Sequence, residues 1–119
     1  MNDDRPTPRE GGNKLMYLRL LSDSLENWTD ELSGGALIEH VLKCRHEMLD
    51  TFSGRGDTIY RLLGAEVAYD RALIKLCEAL SIECDVGNFA FPNQERLRVE
   101  GALARNGVDL AGLSRVRQY

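Results

Sequence analysis

A chain of 119 residues, 43% hydrophobic and 29% charged, has the size and make-up of one globular domain around a single core. Its net charge of -4 lacks the surplus of Lys and Arg on which general binding to nucleic acid or anionic membranes rests, so neither partner is expected. Its longest apolar runs, such as 35–38 and 72–74, fall far short of the roughly 18 residues that span a bilayer, which excludes a transmembrane helix.

Residues 1–12 are rich in Asp, Arg, Pro and Gly, offer nothing to bury, and read as a flexible tail before a single helical domain over 13–119. No apolar stretch there resembles a secretory signal, so the expected location is the cytoplasm. Asn13 is placed to cap a first helix over about 14–32. Along it Leu15, Leu18, Leu21, Leu25, Trp28 and Leu32 recur at steps of three and four until Ser33, Gly34 and Gly35 stop the pattern.

A second helix, about 36–52, carries Leu37, Val41, Leu42, Met48, Leu49 and Phe52 on one arc and stops at Ser53, Gly54, Arg55 and Gly56. Asp57 then caps a third, about 57–81, the longest and the expected spine of the domain. Its small residues Gly64, Ala68 and Ala72, spaced by four, allow another backbone to come close. From 82 to 91 the periodicity lapses into a loop anchored by Phe89 and Phe91, with room for a short extended piece.

Pro92 or Asn93 opens a fourth helix, about 92–105, which Asn106 and Gly107 close, and Asp109 caps a short C-terminal turn or helix through Leu110, Leu113 and Val116. Short connections after the first two helices favour antiparallel neighbours. The expected fold is therefore all-α: an antiparallel bundle of three long helices plus the fourth and the short C-terminal element. The fourth helix has two apolar sides, Leu97, Gly101 and Ala104 on one and Val99 and Leu103 on the other, as if sandwiched within the fold or against a second subunit.

Three charges interrupt the apolar stripes. At about 100 degrees per residue, Arg45 falls near the centre of the arc of the second helix, Glu66 between Ile59 and Leu73, and Asp70 beside Leu63, Ile74 and Cys77. Folding the second and third helices about Gly54 brings Arg45 level with Glu66. A guanidinium's planar fork suits one or two carboxylates, so Arg45, Glu66 and Asp70 are expected to form a buried polar network. It either fixes helix register or lines a polar pocket with Tyr69 and Arg45 as donors; a slip in helical phase would leave all three at the surface.

Other constellations are weaker. No Glu-x-x-His repeat of a di-iron bundle occurs, and of His40, Cys44 and His46 only the first two share a face, so no metal or cofactor is expected. Cys44, Cys77 and Cys84 form an odd set without a Cys-x-x-Cys pair and read as free buried thiols. The Arg-Gly-Asp run at 55–57 has neither the lysine nor the preceding strand of a phosphate loop, and Asn27, Trp28, Thr29 match a glycosylation sequon on a helix.

Charge is uneven: 22–50 holds seven acids against two bases, and 92–119 five bases against three acids. With catalytic motifs absent, this asymmetry and the two-sided fourth helix lead to a non-enzymatic helical protein acting by association, as a homodimer or as an adaptor for a protein partner. The alternative is a small enzyme, or a ligand- or cation-binding domain, built on Glu66 and Asp70. Nucleic-acid binding along Arg96, Arg98, Arg105, Arg115 and Arg117 ranks third, since the acidic remainder weakens its electrostatic footprint.

Overall fold

Two helices, α2 (Gly34–Phe52) and α3 (Ile59–Ala79), form the hairpin on which the rest of the chain packs. The computed structural model describes residues 8–29, 31–52 and 59–117. Before the hairpin stands α1 (Pro8–Glu26); after it come a 3-10 turn (Val86–Ala90), α4 (Pro92–Arg105) and α5 (Leu110–Arg117). The described residues contain no strand, and none of their helices is long and apolar enough to cross a membrane.

Local chemistry sets the boundaries. Gly34 opens α2 at φ 54, a left-handed conformation that costs glycine little. Pro92 begins α4, where its missing N–H is no loss, and Arg105 occupies the last turn, where a cation meets the negative end of the helix dipole. Gly107, at φ 91, closes α4: its N–H reaches the Ala104 carbonyl at 3.0 Å and the Val108 N–H the Leu103 carbonyl at 2.8 Å.

The hairpin is antiparallel, with His46, Glu47, Asp50 and Thr51 of α2 facing Arg61, Gly64, Ala65 and Ala68 of α3 across a crevice. The larger core joins Leu42 and Met48 of α2, Leu73 and Leu76 of α3, and Val99 and Leu103 of α4, closed by Leu110 of α5. A smaller core forms where Tyr17 and Leu21 of α1 meet Ile74 of α3 and Phe89 of the 3-10 turn. The third helix is thus shared by both cores, and α1 packs on it and on the 3-10 turn.

The first helix departs most from its expected course. Its backbone begins at Pro8, inside the stretch read as a tail, and runs through Asn13. A proline is tolerated there because the first helical N–H has no intrahelical acceptor to lose. It ends at Glu26 rather than near 32: Asn27 sets its backbone N–H and its Nδ2 on the Asp23 carbonyl at 3.1 and 2.9 Å, and the Trp28 N–H falls back to the Leu25 carbonyl at 3.1 Å, which breaks the i to i−4 pattern. Trp28 leaves the helix to meet His40 edge-on at 5.6 Å, with the Arg71 guanidinium 4.9 Å from its ring centre.

Helical phase shifts as well. Leu15 is exposed while Tyr17 is buried, and at the end of α2 the seam turns to Thr51, leaving Leu49 and Phe52 in solvent. Between α3 and α4 only Phe89 is a buried anchor; Phe91 is exposed, and the piece expected to be extended is the 3-10 turn, capped by Asp85 accepting from the Gly87 N–H. Asp57 and the Arg-Gly-Asp run lie outside the described residues, as do 1–7 of the expected tail.

Candidate functional site

Asn93, Arg96 and Glu100 recur at steps of three and four along α4 and so share a face, and polar side chains of α1, α2 and α3 meet that face: Tyr17, Arg45, and Glu66, Tyr69 and Asp70. Arg96 is central. Its Nε donates to Asp70 Oδ1 at 2.7 Å and its Nη2 to Oδ2 at 2.8 Å, the paired geometry in which a guanidinium and a carboxylate bind best. Nη2 also lies 3.4 Å from Glu66 Oε1 and 3.4 Å from the Tyr17 hydroxyl, while Nη1 reaches Asn93 Oδ1 at 3.2 Å.

Tyr17 donates its own hydroxyl proton to Asp70 Oδ2. One buried knot therefore ties α1, α3 and α4. One turn further along α4, Glu100 accepts from the Tyr69 hydroxyl and lies 3.5 Å from Arg45 Nε, which links α3 to α2. Among the described residues Arg45 Nε is buried without a hydrogen bond, so this second contact is an ion pair of poor alignment.

Burial is the largest influence on Asp70 and pushes its carboxyl above the usual range, while Arg96 and the Tyr17 hydroxyl pull it back. On Arg96 burial acts to lower the pKa, but the hydrogen bonds and charge of Asp70 outweigh it and the guanidinium is held above its ordinary value. The phenols of Tyr17 and Tyr69 are both raised, first by burial and next by the charge of Asp70 or Glu100. These shifts keep the tyrosines as neutral donors and the arginine as a cation.

Of the residues expected to cluster, Asp70 and Glu66 share a cation, but it is Arg96 rather than Arg45, whose carboxylate is Glu100. Arg45 reaches Glu100, one turn further along α4 than Arg96, so the two arginines are held by different carboxylates. The sequence places Arg96 on a basic face and not in the buried network, although it stands three residues before Val99 and seven before Leu103, on their stripe; Tyr17 stands likewise four before Leu21. With 5% exposure, Arg96 is not part of an outward basic face with Arg98, Arg105 and Arg115.

Asp70 is closed to solvent at 0% exposure, which leaves it no path to a reactant while α1 and α4 stay in place. The knot holds α1, α3 and α4 to one another. Beside it lies a groove of about 320 Å³ between α2 and α4, lined by Arg45, Met48, Leu49 and Phe52 of α2 and Asn93, Arg96, Leu97 and Glu100 of α4.

Elsewhere, Cys44 Sγ lies 3.7 Å from His40 Nε2, and burial pushes its thiol up. Among the described residues no three His, Cys, Asp or Glu side chains converge as a metal site. Glu95 is buried at the start of α4 and held by Arg98 at 2.6 and 2.9 Å, whose Nη2 also reaches the Glu83 carbonyl at 3.3 Å. The chain matches no protein-family model, no curated protein and no solved structure.

Proposed function

We propose that this chain is an association module that pairs with a second copy of itself through the groove between α2 and α4. The observation that carries the reading is the position of Leu97. Of the two apolar sides of α4, Val99 and Leu103 face the core, whereas Leu97 is 73% exposed and stands on the groove with Leu49 and Phe52. Scattered surface leucines are ordinary; several large apolar side chains along one groove are the mark of a binding face.

Ile59 and Tyr60, 74% and 81% exposed, stand at the same end of the hairpin as Phe52. With them, five large apolar side chains are left in water near one end of the hairpin, the kind of surface that an interface of roughly 800 Å² per partner covers. In a two-fold pair Leu97 of each copy enters the groove of the other, so one apolar residue serves both halves. The enclosure of Asp70 weighs against a substrate pocket on the carboxylates.

Light scattering on a concentration series tests the reading. The expected mass at high concentration is twice the 13.4 kDa of one chain, and Leu97→Glu should return it to 13.4 kDa while moving the unfolding free energy by no more than about 0.5 kcal/mol. A single-chain mass at every concentration, or a pair indifferent to Leu97→Glu, refutes it.

A further inference from the structure

The joint between α4 and α5 holds the only asparagine of the chain that is followed by glycine, Asn106 before Gly107, and both residues are exposed. In such a pair a backbone nitrogen can attack the side-chain amide of the residue before it, because glycine sets no Cβ in the way. The native fold occupies both reacting groups. Asn106 Nδ2 donates to the Ala102 carbonyl at 2.8 Å and the Gly107 N–H to the Ala104 carbonyl at 3.0 Å, while a ψ of 19 at Asn106 turns the Gly107 nitrogen away from that side chain. Directly beyond, Val108 and Leu110 are buried in the larger core.

We propose that Asn106 is a modification site, converted through a cyclic imide to aspartate and isoaspartate, that the cap of α4 gates the conversion, and that the product cannot rebuild the cap. The reaction waits on a local opening in which both hydrogen bonds break and the Asn106 backbone turns its C-terminal nitrogen toward Cγ.

In that open state the Gly107 nitrogen bonds to Asn106 Cγ, the Cγ–Nδ2 bond breaks, and ammonia leaves with the proton the nitrogen gave up. Water then adds to one of the two imide carbonyls and cleaves its C–N bond, which leaves a carboxylate beside a restored amide. No electrons change hands, and water is the sole co-reactant. Either product carries an acceptor where the native chain has a donor, so it cannot hold the Ala102 carbonyl. Its negative charge also stands at the negative end of the α4 dipole, and isoaspartate lengthens the main chain by a carbon. Val108 and Leu110 then lose their fixed approach to the core, so the modification releases α5 in one direction only.

The test incubates the full chain in mildly alkaline buffer with and without urea and follows every asparagine by peptide mapping. In urea Asn106 should be the first asparagine converted, and in the folded chain it should react at least about ten times more slowly, since only locally opened molecules react. Val108→Ala, which weakens the anchor behind the cap, should speed the folded reaction and leave the rate in urea unchanged. Asn106→Asp should unfold at lower urea than the wild type and exchange the amide hydrogens of α5 faster. Equal wild-type rates with and without urea, a different asparagine converted first in urea, or an Asn106→Asp chain as stable and as protected as the wild type overturns the proposal, whatever Val108→Ala does.

Discussion

Arg96 holds Asp70 by two hydrogen bonds, at 2.7 and 2.8 Å, with both side chains almost wholly removed from water. Removing one partner leaves an uncompensated charge in a low-dielectric site, which costs far more than the intact pair contributes. Arg96→Ala should lower the unfolding free energy by about 3 to 5 kcal/mol in urea titrations. The double variant Asp70→Leu with Arg96→Met should recover most of that loss, since well-packed apolar groups replace buried ion pairs at little cost.

Arg45 should behave differently. Its side chain retains 17% exposure, its carboxylate partner 24%, and the 3.5 Å contact is not an aligned hydrogen bond. Arg45→Ala should therefore cost only about 1 kcal/mol, within the range of partly exposed ion pairs. A loss as large as that of Arg96→Ala in the same titration would mean that the two arginines share one network.

The two raised phenols predict alkaline lability. Tyr17 and Tyr69 stay protonated in the folded chain at pH values where an unfolded chain ionises them, so the folded state then binds more protons. Their stabilisation is complete below the ordinary phenol value near 10 and declines as pH rises through the higher folded values. Each tyrosine should remove about 1.4 kcal/mol per pH unit above about pH 10. Urea midpoints measured on both sides of that pH check the slope, and Tyr17→Phe should lessen it.

Both ends of α4 were legible in the sequence because Pro92, Asn106 and Gly107 are punctuation whose effect is local. The course of α2 and α3 was legible from their long apolar periods. The register of α1 was not: 15–21 is apolar almost all round, so the stripe could be drawn through Leu15 as easily as through Tyr17, and the choice fell to Ile74 and Phe89, which lie far along the chain. Trp28 followed the same logic, leaving a helical period for His40 and Arg71.

The polar knot was legible in half. The rule that a charge on an apolar stripe must find a partner picks out Asp70 and Glu66, but the cation they share stands on α4 and not on the adjacent α2. Arg96 obeys that rule too, being in phase with Val99 and Leu103. It was obscured by Glu95 and Arg98 beside it, which give the segment a polar look although Glu95 is itself buried.

The clasp on α1 joins distant parts of the chain: Tyr17 meets Asp70 across 53 positions and Arg96 across 79. A hairpin such as that of α2 and α3 closes early, because its loop is short and its loss of chain entropy small. The surface that receives α1 exists only once Asp70, Phe89 and Arg96 have come together, so the docking of α1 closes contacts far longer in sequence than those of the hairpin. Until α1 docks, Leu21, fully enclosed in the finished protein, stands in water, an exposed apolar surface of the kind that favours self-association of partly folded chains.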